Sequence, residues 1–238
     1  MNAYDGLAVR QRTAEVMDDP NLDAESHVRA LDGLARLNLL SGGAGILWRP
    51  LSRLVAENGM GVIRVLDIAT GAGDLPVALW RRAKRRGLAL DISGCDVSAR
   101  ALEHARARCD RAGAAVNFFK LDALQDSLPS GYDVLMCSLF LHHLETPAAE
   151  LLLRRMGEAA KEMVLVNDLA RGVACLRMVQ TACYILTTSP VVRTDGPLSV
   201  RAAFTPDELK AMADRAGLRG ASIERRWPCR MLLTWNRP

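Results

Sequence analysis

The run Val65-Leu66-Asp67-Ile68-Ala69-Thr70-Gly71-Ala72-Gly73-Asp74 constrains this chain more than any other. A β-branched stretch beginning at Val62 ends in a glycine turn. A helical pattern follows from Asp74, with Pro76 in its first turn and Gly87 as its stop. Glycine lets the backbone turn tightly and approach a ligand with no Cβ in the way, and the helix start presents unpaired N–H groups. Strand, glycine turn and helix form the repeating unit of a parallel sheet. Alone, a GxG after a strand serves nucleotide, dinucleotide and adenosyl binders alike.

The alternation continues. Leu88–Val97 reads as a second strand, and Ser98 caps a helix whose Ala101, Leu102, Ala105, Cys109 and Ala112 form one stripe closed by Gly113. Val116–Lys120, Tyr132–Ser138 and Met163–Val166 are three further strands, with a helix opening at Thr146-Pro147. Thr205-Pro206-Asp207-Glu208 is a capping box for a helix ending at Gly217. Ala221–Trp227 and Arg230–Trp235, separated only by Pro228-Cys229, read as an antiparallel pair. The expected architecture is a doubly wound α/β fold: a mainly parallel, seven-stranded sheet finished by an antiparallel C-terminal edge hairpin. Before it, Val28, Leu31, Leu34 and Leu37 mark a helix that stops at Ser41–Gly45. A second helix, Trp48 to Glu57, has Pro50 near its first turn and ends at Asn58-Gly59.

With 238 residues, 50% of them hydrophobic and 24% charged, the chain suits one domain with a helical extension. A net charge of +4, spread along the sequence, gives no reason to expect nucleic acid as a partner. The six cysteines never reach CxxC spacing and several lie in apolar runs, so neither a bound metal nor a disulfide framework is expected, and a reduced cytoplasmic protein is. The first residues, MNAYDGLAVRQRTAEVMDD, are charged throughout and hold no apolar signal core. The most lipid-like stretch, Val173–Val192, is interrupted by Arg177 and Gln180 and reads as a buried helix rather than a membrane span.

Two carboxylates sharpen the glycine motif. Asp96 ends the second strand where a dinucleotide fingerprint places its ribose acid, and Asp122 follows the third strand in Leu121-Asp122-Ala123. In order and spacing, Val65 to about Val166 resembles the class I S-adenosylmethionine-dependent methyltransferases, most of all their small-molecule, ubiquinone- and menaquinone-type branch. The resemblance implies S-adenosyl-L-methionine as cofactor. Asp67, Ala69, Gly71 and Gly73 would line its methionine part, Asp96 and Val97 its ribose, Asp122 and Ala123 its adenine, with Ser138 at the end of the fourth strand. Ala69 departs from the family, which often has glycine there. Residues 1–60 would then be a helical extension or lid and 61–238 the methyltransferase domain, with a substrate lid over 171–204. Taken singly, these residues also have a plain structural reading, with the turn as a turn and Asp96 or Asp122 as helix caps.

A nicotinamide-dependent fold would prefer GxGxxG. Here Asp74-Leu75-Pro76 follows Gly73, and an acid at that helix start repels a pyrophosphate. The fourth strand runs on as Ser138-Leu139-Phe140-Leu141-His142-His143-Leu144. It lacks the Asn/Asp-Pro-Pro-aromatic turn of methyltransferases that act on base amino groups or on protein glutamine. It also lacks the Pro-Cys pair of those acting at cytosine C5, because Cys137 follows Met136. The Leu-His-His-Leu turn instead resembles small-molecule methyltransferases. Either His142 or His143 is a candidate base, with His143 preferred, although one can serve as a helix cap and the other be solvated. Asn167 and Asp168, after the fifth strand, are candidates to face the acceptor.

A helix over Arg171–Leu186 and a loop to Phe204 occupy the lid position. Their apolar content and Tyr184 suggest a greasy pocket for a phenolic, quinone-like or polyketide-like acceptor, with Arg193 and Arg201 holding a carboxylate or phenolate. An extra core layer is the plainer reading of most of these side chains. The expected function is methyl transfer to a small hydrophobic molecule, at oxygen in preference to carbon, by a monomer or homodimer. An RNA or protein methyltransferase and a non-catalytic adenosyl-binding module are the alternatives.

Overall fold

A computed structural model describes residues 7–18, 22–57, 59 and 61–238. Two helices, α1 (Ala24–Leu40) and α2 (Gly43–Glu57), precede the sheet. The expected stop at Asn58 lies outside the described residues. The second helix begins five residues earlier than the sequence suggested, so Pro50 sits inside it rather than in its first turn. Glycines at 43 and 45 concealed that start, since glycine is a weak helix former.

The alternating units follow as β1 (Ile63–Ile68), α3 (Asp74–Arg86), β2 (Leu90–Asp96), α4 (Ala99–Ala112), β3 (Val116–Lys120), β4 (Val134–Ser138), α5 (Thr146–Ala159) and β5 (Met163–Leu169). Helices α6 (Val173–Leu186), α7 (Pro190–Ala202) and α8 (Pro206–Arg215) lead to the hairpin β6 (Ser222–Arg226) and β7 (Arg230–Asn236). Strand order is β3-β2-β1-β4-β5-β7-β6. The pairs among β1 to β5 are parallel, while β7 enters antiparallel between β5 and β6. This is the expected seven-stranded sheet with its antiparallel hairpin at one edge.

The sheet is covered on both faces, which explains the unbroken apolar runs of its central strands. On one face Leu47, Trp48, Leu51 and Val55 of α2 pack with Leu79 of α3 against Val65, Ile92, Met136 and Leu165. Val77 of α3 meets Leu102, Ala105 and Cys109 of α4 around Phe118. On the other face Leu152, Leu153 and Met156 of α5 and Leu209 and Met212 of α8 close over Leu66, Leu135, Val164 and Leu233. The first sixty residues therefore divide: α2 belongs to the sheet's core, whereas α1 packs on α6 and α7.

The stretch read as a loop before Phe204 is the helix α7. Ser189 caps it by accepting from the Val192 N–H, and Pro190 stands at its first turn. Asp195-Gly196-Pro197 had looked like a turn. Tertiary contacts override that signal: Asp195 accepts from the Val16 and Met17 N–H groups at 2.9 and 3.0 Å, and Gly196 lies against Cys183, where a Cβ would collide with the sulfur.

The glycine turn is set down tightly on the neighbouring strands. Gly73, at φ 69, is so close to α4 and β3 that a Cβ would fall 2.9 Å from both Ala105 Cβ and Phe118 Cζ. Gly94, opposite Asp67 in register, is equally tight against Thr70 Oγ1 and Phe118. Gly71 differs. Its φ is 55, but a Cβ there would meet nothing within 4 Å. Gly73→Ala is therefore expected to cost roughly 2–4 kcal/mol, combining left-handed strain with overpacking. Gly71→Ala should cost only about 1–2 kcal/mol of strain. Urea unfolding midpoints of the two variants test this, and equal losses would refute the packing role of Gly73.

Candidate active site

The loops after β1, β2, β3 and β4 open at one edge of the sheet, and α1, α6 and α7 close over it. Between them lies a cavity of about 940 Å³, near the upper end of the usual range for small-molecule sites. One end is lined by Asp67, Gly71, Asp96 and Asp122, the other by Glu15, His142 and His143.

At the first end, Asp67 is 2% exposed at the tip of β1. Its Oδ2 accepts from the Thr70 hydroxyl at 2.7 Å, while its Oδ1 is buried with no hydrogen-bond partner. Burial pushes its pKa up to about 8, against the Thr70 hydrogen bond and with help from the charges of Asp74 and Asp96. Asp96 holds two loops together by accepting from the Gly71 N–H and the Ser98 N–H, both at 2.9 Å. Asp122 closes its own turn, accepting from the Leu124 N–H at 2.9 Å. Neither is a helix cap, since Ser98 caps α4 and only a turn follows Asp122, but both tie loops together while lining the cavity. Ala69 sits at φ 54, a left-handed conformation that costs an alanine about 1–2 kcal/mol.

Ala69, Val97, Ala123 and Ser138 are on the cavity wall too. Gly73 is not, since its place is the packing contact with α4 and β3. A buried acid with one oxygen unpartnered, a left-handed glycine facing open space and two further carboxylates along one wall suit an amino-acid cation, a ribose diol and an adenine amine. The residues fit the adenosyl cofactor expected from the sequence.

At the other end, a short 3₁₀ turn over Leu141–His143 carries the two histidines. His142 is buried, and its Nδ1–H donates to Asp168 Oδ1 at 2.7 Å. Asp168 also accepts from the backbone N–H groups of His142, at 3.1 Å, and Leu169, at 2.7 Å. Burial alone would raise the Asp168 pKa, but the His142 ring and these bonds hold it below the usual carboxylate value. An ionised Asp168 can only accept, so Nδ1 is the donor of this contact and Nε2 is the ring nitrogen left over. That nitrogen lies 3.8 Å from Glu15 Oε1, and His143 Nε2 lies 3.9 Å from Glu15 Oε2. The two ring centroids are 4.3 Å apart, with the planes tilted by 34°.

Glu15 was not anticipated. It arrives on an N-terminal strap whose anchors are scattered through the sequence. Arg10 donates to the carbonyls of Ala202, His142 and Leu144, Arg12 pairs with Glu145, and Arg171 donates to Leu7 O. Ser199 of α7 donates to Glu15. No local pattern marks a glutamate that reaches histidines so far along the chain.

Several candidate acceptor residues lie elsewhere. Tyr184 is 72% exposed, with Arg193 stacked 4.9 Å over its ring and donating to the carbonyls of Thr187 and Tyr184. Both stand outside the cavity wall, as does Arg201. The sequence pattern of α6 put Tyr184 on the same apolar helix as Val179 and Cys183, but those two face inward and it does not. Asn167 and Asp168 are fully buried behind the wall. The Asn167 amide donates to the Ser138 hydroxyl at 2.8 Å, and Asp168 reaches the cavity only through His142. Met178, Val179, Cys183, Val192 and Arg230 line the cavity instead.

Residues 65–162 match the family model described as a methyltransferase domain. Over 163 residues the chain is 31% identical to the ubiquinone biosynthesis O-methyltransferase of Cupriavidus pinatubonensis, covering 65% of this chain and 59% of that one. Over 93 residues it is 36% identical to the demethylmenaquinone methyltransferase of Thermus thermophilus, covering 39% and 40%. The chain thus spans less than two thirds of the length of these curated relatives. Among solved structures, the S-adenosylmethionine-dependent methyltransferase SibL in its apo form superposes with a TM-score of 0.67 at 20% identity, over 98% of this chain and 65% of that one. The likeness extends the shared fold over almost the whole chain.

The raised Asp67 pKa gives a pH signature. In the ligand-free protein this group's contribution to stability is fully present below its unfolded value of 3.8 and is lost as pH rises toward about 8. The difference in urea midpoint between wild type and Asp67→Asn should therefore grow in favour of the variant across that window and then level off. A pH-independent difference would mean that Asp67 ionises normally.

Proposed function

We propose that the chain is an S-adenosylmethionine-dependent methyltransferase acting at an oxygen of a small, largely apolar molecule in the cytoplasm. The observation that carries this reading is one continuous cavity with the glycine-loop carboxylates at one end and the His142–Asp168 pair at the other. The matched methyltransferase domain supports it, as do six free thiols and the lack of any helix, among the described residues, long and apolar enough to cross a membrane.

Asp67, Gly71, Asp96 and Asp122 would hold the cofactor, which supplies a methyl group on a sulfonium. The chain's own contribution is to hold the acceptor oxygen in line and to take its proton. Positioning of two reactants is worth several kcal/mol of barrier in well-oriented systems. A phenol or enol becomes a good nucleophile once its proton leaves, and His142 Nε2 is the group arranged to accept it. Asp168 orients the ring and stabilises the charge that forms there, a division of labour shared by other histidine–carboxylate pairs. Glu15 then shares the transferred proton's charge from the far side. The geometry thus favours His142 over His143 as the base. The strap, α6 and α7 act as the lid, excluding water from the acceptor.

Two measurements test this. Asp96→Ala should weaken calorimetric binding of S-adenosylhomocysteine about tenfold or more, since charge-assisted hydrogen bonds contribute about 1.5–3 kcal/mol. Unaltered affinity would remove Asp96 from the cofactor site.

His142→Ala and Asp168→Asn should each cut turnover of a phenolic acceptor by about 10²-fold or more while leaving S-adenosylhomocysteine affinity in place. His143→Ala should do less. The ligating atoms of Glu15, His142 and His143 also lie within 4.8 Å of one another, a spacing that suits a divalent cation. Turnover that is abolished by chelator and restored by added cation would replace the proton-acceptor role with metal binding. Turnover indifferent to chelator supports the base.

A further inference from the structure

Arg230 opens β7, paired with Leu169 at the end of β5, and is 5% exposed. Its Nη2 donates to two neutral oxygens, Asn38 Oδ1 at 2.9 Å and Ser41 Oγ at 3.0 Å. Its Nη1 is buried with no hydrogen-bond partner, and the residue forms part of the cavity wall with Pro228 and Cys229. A second buried arginine shows how such a charge is ordinarily met: Arg171 forms a two-point contact with Glu208, at 2.6 and 2.9 Å, and donates to two carbonyls. Burying a guanidinium without an anion is costly, and a donor left unmade adds to that cost. Asp168 and Asp74 are near enough to favour the charged form, yet neither is a hydrogen-bond partner of Arg230, and burial still outweighs them.

We propose that Arg230 is an anion subsite of this cavity, and that the methyl acceptor carries an acidic oxygen, a carboxylate or an ionised hydroxyl, that pairs with the unpartnered Nη1. This rests on the methyltransferase reading and narrows its acceptor class. The placement favours the acceptor as the source of the anion. Arg230 belongs to the strand beyond β5, three strand spacings from β1, or about 14 Å. Its neighbours Cys175 and Asp168 belong to the lid helix α6 and to the histidine pair. An arginine is suited to the role, because its planar fork meets a carboxylate at two points. The one competing anion is the cofactor's own carboxylate, since the guanidinium reaches toward Asn38, whose amide donates to Asp74 at the start of α3.

The test compares an aromatic acid with its neutral twin, 2-naphthoate and 2-naphthamide. Each is titrated calorimetrically into the full chain with and without saturating S-adenosylhomocysteine. Wild type should prefer the acid by about tenfold or more, the worth of one charge-assisted bond. Arg230→Gln should reduce the preference to within about twofold, and Arg230→Lys should keep part of it. S-Adenosylhomocysteine affinity should shift by less than about threefold in both variants.

Wild type that binds the acid no better than the amide, or not at all, overturns the proposal, as does an acid preference that survives Arg230→Gln. A variant that loses S-adenosylhomocysteine while keeping its acid preference assigns the arginine to the cofactor and also overturns it. Should Arg230→Gln fail to fold, the wild-type comparison and Arg230→Lys decide. Wild type that binds no S-adenosylhomocysteine defeats the methyltransferase reading instead, and the titrations without cofactor still judge Arg230.

Discussion

The reversal of strand order at β1 is the constraint from which the site follows. The chain builds β1, β2 and β3 outward in one direction, then returns to lay β4 and β5 on the other side of β1. Loops leaving β1 and β4 must diverge, and ligands in open α/β sheets bind in the crevice between them. Here the divergence is held by hydrogen bonds that tie each loop to its own side. Asp96 fastens the β1 loop to the β2 loop through the Gly71 and Ser98 N–H groups, and Asp168 fastens the turn after β4 to β5 through the His142 backbone and ring. The cavity is what remains between two loop pairs that cannot approach each other.

Charge is distributed across that crevice in a way that separates its two ends. Asp67 is held protonated to about pH 8 by burial, whereas Asp168, equally buried, is held ionised by His142 and two backbone donors. Two aspartates of the same burial thus carry opposite states, because one faces the His142 ring and two backbone donors while the other has a single hydroxyl and the like charges of Asp74 and Asp96. A neutral acid with an open oxygen can receive a cation by giving up its proton. An ionised acid behind a histidine can stabilise a proton that arrives. The two groups suit the two partners of the proposed reaction.

The sheet was legible in the sequence because each strand and helix carries its own periodicity and its own caps. The cavity wall that carries the carboxylates was legible for a related reason: Asp67, Gly71, Asp96 and Asp122 each stand at or just past the end of a strand, and strand ends can be counted. The acceptor wall follows no such rule. Glu15 comes from a strap fixed by long-range contacts of Arg10 and Arg171. Arg230 sits in a hairpin that read only as an antiparallel strand pair, and α7 was hidden by an Asp-Gly-Pro sequence whose meaning depends on Cys183 and on the strap. Arg193 and Arg201, singled out by charge within an apolar segment, are placed by their helix phase away from the cavity. Identity and spacing told which arginines were present, but only packing told which one is buried with a donor to spare.

That division coincides with the reach of the family match. Residues 65–162 contain every strand-end carboxylate of the cofactor wall and both histidines, and stop before Asp168. Glu15, the lid helices and Arg230 all lie outside it. A parallel sheet can keep its crevice unchanged so long as its glycine turn and its strand order persist, while the strap, α6 and α7 can differ because none of them is a strand of the sheet. The acceptor would then be set by side chains brought in from both ends of the chain. Relatives sharing the central hundred residues can differ in what they methylate for the same reason. In this chain the two ends meet over the histidines: Glu15 arrives from one and Arg230 from the other, so the proposed proton acceptor and the proposed anion subsite share one wall.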